Sequence, residues 1–234
     1  MANILLLETS TQVCSVALGT DNGIVAIREA HDQQSHSELI TVFIEEVLHE
    51  AQIGFAALDA VAVSKGPGSY TGLRIGVSTA KGICYACDIP LIAVDTLQAL
   101  AAGMKSSVEN GEQLSGYILS PMIDARRMEV YNALFNDALQ RLGATCAVIV
   151  NEHSFETELI DNTVYFAGDG AAKCMPLWSG NENARFLPDV LPSAIWMNPF
   201  AQIAFQTGNI ENLAYFEPFY LKDFVAGIPK VKGL

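Results

Sequence analysis

The chain has 234 residues, of which half are apolar and 17% are charged, a mixture that supports a buried core and excludes global disorder or a coiled coil. Its formal net charge of −13 disfavours tight independent binding to nucleic acid or to an anionic membrane. The N-terminus has no basic region, and no apolar run reaches the roughly 18 residues of a spanning helix. Five cysteines without a secretion signal predict a reduced, cytoplasmic protein.

The first half of the chain alternates predicted strands and helices. The first helix begins with Ser35 and Glu38 at the spacing of a capping box, and its apolar residues recur at helical spacing. In chain order, we predict strands at 4–7, 14–18 and 24–29, a helix at 36–51, a strand at 58–63, a helix at 73–87, a strand at 90–94 and a helix at 97–104.

The second half resembles the first. An apolar strand at 117–123, the acidic Asp124, a small polar turn and a strand at 129–135 repeat the order seen at the start of the chain, which predicts an internal duplication. The polar stretch 106–115 then separates a lobe at 1–105 from a lobe at 106–234. Later elements are strands at 144–150 and 164–167 and a helix at 193–206, and we expect this last helix and the tail to pack back on the first lobe.

The segment Ser64 to Gly72 is a glycine-rich turn between a strand and a helix. Its backbone amides could cradle an anion. It has neither the third glycine of a dinucleotide-binding fingerprint nor a Gly-x4-Gly-Lys-Ser/Thr pattern, so a structural turn and an anion cradle stay equally open. Glu8, Asp124 and Asp169 each follow a predicted strand, where ligands bind in α/β sheets, although carboxylates there are often turn or cap residues.

Small residues recur every four positions along the second helix: Gly72, Gly76, Ala80 and Cys84. Each glycine inside a helix costs about 1 kcal/mol relative to alanine, so we expect another backbone to approach this face closely. Packing within the chain and docking of a second protein both explain it. The broad apolar face of the first helix favours docking.

Familiar catalytic and metal-binding patterns are absent from the sequence. No second cysteine or histidine pair accompanies Cys84 and Cys87 at ligand spacing, so these two are predicted to be packing residues. The four histidines form no His-x3-His pair, and there is no Gly-x-Ser-x-Gly elbow. From the residues alone, the chain is an acidic, internally duplicated α/β protein without an assembled catalytic constellation.

Several motifs, in order along nearly the whole chain, resemble the TsaB (YeaZ) family. The most specific is Gly66-Pro-Gly-Ser-Tyr-Thr-Gly-Leu-Arg-Ile-Gly76. The others lie at 4–18, 36–38, 80–82, 124–131, 168–171 and 218–221. The resemblance implies an α/β fold of the actin/sugar-kinase/Hsp70-like (ASKHA) type with two internally duplicated lobes.

The resemblance also implies a function in making N6-threonylcarbamoyladenosine at position 37 of tRNA. The chain would be a non-catalytic subunit that binds and activates TsaD, a metal-dependent paralogue, together with the ATPase TsaE. Alone it would form a homodimer, and it would contact tRNA only indirectly. No metal is implied, and no cofactor beyond ATP or ADP within the complex. The alternative is an ASKHA enzyme in its own right, either a phosphotransferase or a glycoprotease-like peptidase.

Two sets of site residues follow from this resemblance. The predicted partner surface on the first two helices comprises His36, Ile40, Phe43, Ile44, Val47, Leu73, Arg74, Gly76, Val77, Ala80, Lys81 and Cys84. The candidate nucleotide or anion residues are Glu8, Thr9, Ser10, Gly66, Gly68, Ser69, Thr71, Asp124, Gly168, Asp169 and Gly170. The family usually has Asp at the position of Glu8, a difference that counts against independent ATP chemistry, whereas Lys65 and Tyr70 in place of Arg and Phe are expected to be tolerated.

Overall fold

The computed structural model describes residues 2–31, 36–110 and 115–222. Its first sheet is built around β1 (Ile4–Glu8), which pairs antiparallel with β2 (Cys14–Thr20) and parallel with β4 (Ala60–Gly66). The edges are β3 (Gly23–Ala30) and β5 (Leu91–Asp95), so the order is β3-β2-β1-β4-β5. All of β1 is buried, because helices cover both faces of the sheet. This explains its continuous apolar sequence.

The second sheet repeats the arrangement of the first. Its strands are β6 (Tyr117–Asp124), β7 (Glu129–Asn132), β8 (Phe135–Asn136), β9 (Cys146–Ile149), β10 (Thr163–Ala167) and β11 (Ala184–Leu187). The order is β11-β10-β6-β7-β9, with β8 also paired to β6. In each sheet the first strand pairs antiparallel with a meander on one side and parallel with a later strand on the other. The predicted internal duplication is therefore confirmed.

Two helices cover one face of the first sheet. They are α1 (His36–Glu50) and α2 (Tyr70–Cys87), whose apolar residues form one core with β1, β2 and β4. The side chain of Ser69 caps α2 by accepting a hydrogen bond from the Gly72 amide at 3.3 Å. The predicted capping box of α1 depends on Ser35, which lies outside the described residues.

The helix α3 (Thr96–Glu109) connects the two sheets. Leu97, Leu100 and Met104 pack in the core of the second sheet. The helix continues for five residues beyond its predicted end at Met104, and Lys105 and Glu109 form an ion pair at the i,i+4 spacing that supports this last turn. The connection between the sheets is therefore helical at its start.

The other face of the first sheet is covered by late elements of the chain. A 3-10 helix, Ala194–Met197, leads into α5 (Asn198–Thr207), and Met197 and Ala201 pack with Ile4 and Leu6 of β1. The predicted single helix at 193–206 is thus two elements, with a proline at the first α-helical turn, where its missing amide hydrogen costs nothing. The remaining short helices are Phe55–Ala57, α4 (Glu156–Asp161) and Ala172–Trp178. No helix within the described ranges combines the length and apolar character needed to cross a bilayer.

Candidate functional site

The loop that follows β1 is buried by the start of α2. Glu8, Thr9 and Ser10 are fully excluded from solvent. The Ser10 amide donates to Glu8 Oε1 at 2.6 Å, and Thr9 Oγ1 donates to the Gly72 carbonyl at 2.8 Å. The Ser69 amide donates to the Ser10 carbonyl at 2.6 Å. These hydrogen bonds connect the two candidate anion-binding segments of the first lobe, residues 8–10 and residues 66–72.

The glycines of the 64–72 segment are required by this contact. A Cβ atom built at Gly68 would lie far inside contact distance of the Ser10 backbone, and one at Gly72 would collide with the Thr9 carbonyl. At Gly66, φ is +110° and a Cβ would come within 2.6 Å of the Phe219 carbonyl. Close packing within the chain therefore accounts for these three glycines without a bound anion.

Three carboxylates of the candidate site come from both lobes. Burial raises the pKa of Glu8, and the negative charge of Asp169 raises it further. Glu8 Oε2 and Ser10 Oγ are buried and have no hydrogen-bond partner among the described residues. Burial also raises the pKa of Asp169 to about 6, although Asp169 Oδ1 accepts a 3.0 Å hydrogen bond from the Asp124 amide. Asp124 itself pairs with Lys173.

The second-lobe turn is shaped by two further candidate residues. Gly168 has a φ of +100°, and a Cβ on Gly170 would come within 2.9 Å of the Ile123 carbonyl carbon. The Gly170 amide donates to the Met122 carbonyl at 3.0 Å. The turn therefore lies directly on the end of β6, and this places Asp169 beside Asp124.

The raised pKa of Asp169 predicts a pH-dependent stability. Because its pKa of about 6 lies above the ordinary value of 3.8, the folded chain holds this proton more tightly than the unfolded chain. Its contribution to the free energy of unfolding is thus full below about pH 4 and lost as the pH rises to about 6. We expect Asp169→Asn to be more stable than the wild type at neutral pH, by less than about 3 kcal/mol.

Urea unfolding of both proteins between about pH 4 and about pH 8 measures this difference. The difference should disappear towards pH 4, and the pH dependence that remains in Asp169→Asn should come from Glu8, whose pKa is also raised by burial. Asp189→Asn, at an exposed position, is the matched control. A constant difference across the range would contradict the prediction.

Most residues of the predicted partner surface belong to the core of their own lobe. Eight of them are buried: Ile40, Ile44, Val47, Leu73, Gly76, Val77, Ala80 and Cys84. Phe43 is half-buried against the same core, and the His36 ring contacts the Thr11 carbonyl at 2.8 Å.

The prediction that the small-residue stripe of α2 contacts a partner therefore needs correction. The stripe faces the loop after β1 and strand β4, since a Cβ at Gly76 would collide with Thr9 Oγ1 and approach Val63 at 3.4 Å. The backbone that approaches this stripe closely belongs to the same chain, so the stripe is not available to a partner.

An exposed groove lies between the outward sides of α1 and α2. It encloses about 510 Å³, and we call it the α1–α2 groove. It is lined by Ser37, Ile40, Thr41, Tyr70, Thr71, Arg74, Ile75, Ser78 and Thr79. Of these, the predicted partner surface includes only Ile40 and Arg74, and Thr71 is among the candidate anion residues. The i, i+4 recurrence of Ser37 with Thr41 and of Thr71 with Ile75 and Thr79, beside the buried stripe, is the signal that could have identified this face.

The last described residues, 211–222, form a segment that we call the C-terminal strap. Lys81 Nζ donates to the Ala214 and Phe216 carbonyls, both at 3.2 Å. The Phe219 amide donates to the Lys65 carbonyl at 2.7 Å. Lys81 is therefore engaged in holding the strap on α2.

The two cysteines predicted to be packing residues lie near the end of α2. Cys84 and Cys87 are free thiols in α2, and burial raises the pKa of Cys84 to about 11, which disfavours the reactive thiolate. Across residues 2–31, 36–110 and 115–222, no group of three His, Cys, Asp or Glu residues could hold a metal ion.

The two duplicated sheets place the chain in the class of proteins with a two-lobed ASKHA-like fold. An activator of the 2-hydroxyisocaproyl-CoA dehydratase from Clostridium difficile with bound ADPNP shares this fold at a TM-score of 0.50 and 10% identity. A family model described as TsaD, tRNA N6-adenosine threonylcarbamoyltransferase, matches residues 24–224. The chain is 31% identical over 230 residues to the Escherichia coli tRNA threonylcarbamoyladenosine biosynthesis protein TsaB, covering 95% of this chain and 96% of that protein. It belongs to the TsaB (YeaZ) family.

Other relatives agree with this assignment. The Haemophilus influenzae TsaB is 28% identical over 231 residues, which cover 95% of this chain and 94% of that protein. The solved structure of YeaZ from Pseudomonas aeruginosa is 26% identical, with a TM-score of 0.74, and the match covers 94% of this chain and all of that one. The similarity therefore extends over both lobes.

Proposed function

We propose that this chain is a non-catalytic subunit in the formation of N6-threonylcarbamoyladenosine at position 37 of tRNA. It binds a TsaD-type paralogue through the α1–α2 groove and supports that enzyme's activity together with the ATPase TsaE. The relatives named as tRNA threonylcarbamoyladenosine biosynthesis proteins support the pathway, and the TsaD-type family match supports a structural kinship with the catalytic subunit.

The observation that carries this proposal is the exposed α1–α2 groove. Its floor is apolar, from Ile40 and Ile75, and its sides carry hydroxyl groups from residues such as Ser37, Thr41 and Ser78. A side chain or helix edge from another protein fits such a surface, because apolar contact at the centre and polar contact at the rim is the usual anatomy of an interface. A second copy of the chain would occupy the same groove when the paralogue is absent.

The interior of the first lobe supports a non-catalytic role. In this fold a nucleotide would be expected beside the loop after β1, yet Glu8 is fully buried, and Thr9 and Ser10 are covered by the segment 68–76 of the same chain. The net charge of −13 further supports a subunit that leaves most contact with the tRNA phosphates to its partners. We place its action in the cytoplasm, with no membrane partner.

The direct test mixes the purified chain with its cognate TsaD-type and TsaE-type proteins, with and without ATP. We expect a stable complex with the TsaD-type protein at micromolar concentrations. We also expect threonylcarbamoyladenosine formation to depend on addition of the chain. An absence of binding at these concentrations would remove the proposal.

Conservative substitutions of Glu8 and Asp124 distinguish a non-catalytic subunit from an enzyme that acts on ATP. In Glu8→Gln and Asp124→Asn, we expect threonylcarbamoyladenosine formation by the complete complex to stay within about twofold of the wild type, because these groups perform no chemistry. If instead the chain alone hydrolyses or transfers phosphate from ATP and both variants lose this activity, the chain is a phosphotransferase. The mass spectrum of digested tRNA and a phosphate-release assay give the two readouts.

A further inference from the structure

Arg74 occupies a defined position at the edge of the α1–α2 groove. Its guanidinium carbon lies 4.2 Å from the centre of the Tyr70 ring and 6.0 Å from that of Tyr220. Its Nε donates a 3.1 Å hydrogen bond to the Tyr220 hydroxyl. The two rings are themselves in contact, with centroids 4.9 Å apart. One stack and one hydrogen bond thus restrict a long side chain that is otherwise exposed.

Arg74 forms no ion pair within the described ranges, and the carboxylate of Glu217 acts on its charge only from beyond contact distance. Arg74 is the one charged residue in the groove lining, and no carboxylate in the described ranges lies within ion-pair distance of it. A guanidinium presents a planar fork of donors that matches a carboxylate. In a chain with a net charge of −13, this cation on a docking surface indicates an acidic group on the partner.

Tyr220 reaches Arg74 from the C-terminal strap, 146 residues further along the chain. The strap is fixed on both sides of this tyrosine. Before it, the Glu211 amide donates to the Leu91 carbonyl at 2.8 Å, and the Phe219 amide donates to the Lys65 carbonyl at 2.7 Å. After it, Lys222 forms an ion pair with Glu129 of the second lobe. The strap can therefore hold the tyrosine hydroxyl in place.

We propose that Arg74 pairs with a carboxylate of the heterologous partner, and that Tyr220 is the positioning residue that holds Arg74 at the groove edge. This inference rests on the proposed function. Immobilising a long side chain at an interface costs about 0.5–1.5 kcal/mol, and the contacts with Tyr70 and Tyr220 meet part of that cost before the partner arrives. The occupant is thus a surface of the partner protein that presents an acidic residue beside an apolar side chain.

The test measures the dissociation constant of the TsaD-type complex at low and high ionic strength. We expect Arg74→Gln to weaken binding about tenfold at low ionic strength and to reduce its salt dependence, because a charge pair is lost. Tyr220→Phe removes only the hydroxyl, and we expect it to weaken binding about threefold. Adding Tyr220→Phe to Arg74→Gln should have no further effect, because the tyrosine acts through the arginine.

The strap offers a matched control. Tyr215 is 84% exposed, and Tyr215→Phe should bind as the wild type does. Unchanged thermal unfolding of each variant shows that the fold is intact.

Each other outcome overturns a stated part of the inference. If Arg74→Gln binds normally while a residue that fills the groove abolishes binding, the groove is the docking site but the carboxylate contact is wrong. If Tyr220→Phe weakens binding equally with and without Arg74, its effect is structural and the positioning role is wrong. If Arg74→Gln weakens only self-association, the carboxylate belongs to a second copy and the assignment to a heterologous partner is wrong.

Discussion

Replacement of Ser78 by tryptophan is expected to abolish binding of the TsaD-type partner. Ser78 is exposed on α2 and lines the α1–α2 groove. An indole at this position would occupy the space that the partner needs, because a tryptophan side chain covers roughly 150–250 Å². A bulky side chain on the side of the groove would keep the partner from reaching its apolar floor, so we expect binding to weaken about a hundredfold or more. Titration calorimetry with the TsaD-type protein measures the loss, and threonylcarbamoyladenosine formation should fall with it.

The matched control places the same substitution on another exposed helix face. Ser107 lies on α3 and is exposed, so Ser107→Trp should bind normally. Both variants should unfold at the wild-type temperature, since neither serine lies in the core. Normal binding by Ser78→Trp would show that the partner docks elsewhere and would remove the α1–α2 groove from the proposed function.

Substitution by alanine at two glycines of α2 is expected to change the stability of the chain in opposite directions. Gly76→Ala should destabilise the chain by about 1–3 kcal/mol, because the added methyl group would collide with Thr9 and approach Val63. Gly82→Ala should stabilise it by about 0.5–1 kcal/mol, because no heavy atom outside the helix lies within 4 Å of the new methyl group and alanine is the better helix former. Urea unfolding at one pH measures both.

The same two variants also test whether the small-residue stripe faces its own chain or a partner. If the stripe faced a partner, Gly76→Ala would leave the stability of the isolated chain unchanged or slightly higher and would affect only binding. A stable Gly76→Ala variant with impaired complex formation would therefore contradict the packing of α2 on the loop after β1.

Local sequence patterns predicted the elements well where burial is uniform. The continuous apolar runs of β1 and β4 reflect a sheet covered on both faces, and the second half repeats the first because both lobes use the same strand order. The end of α3 and the start of α5 were less predictable. An ion pair supports the last turn of α3, and a separate 3-10 turn precedes α5. Neither feature produces a strong hydrophobic periodicity in the sequence.

The candidate site illustrates a different limit. A glycine repeat requires a close neighbour, but the sequence cannot say whether that neighbour is in the same chain or in another, since both produce the same i+4 pattern. The structure identifies it as the loop containing Thr9 and Ser10. The exposed groove is lined largely by serine, threonine and isoleucine, which are common on any helix, so composition does not distinguish it.

The sequence by itself determined the duplicated α/β fold, the family and the two helices on which a partner is expected, because periodicity and specific motifs are local properties. Only the tertiary structure decided which side of those helices stays exposed and that Tyr220 meets Arg74. Contacts between residues far apart in the chain depend on how the sheets, helices and strap pack together. A one-dimensional pattern does not contain that information.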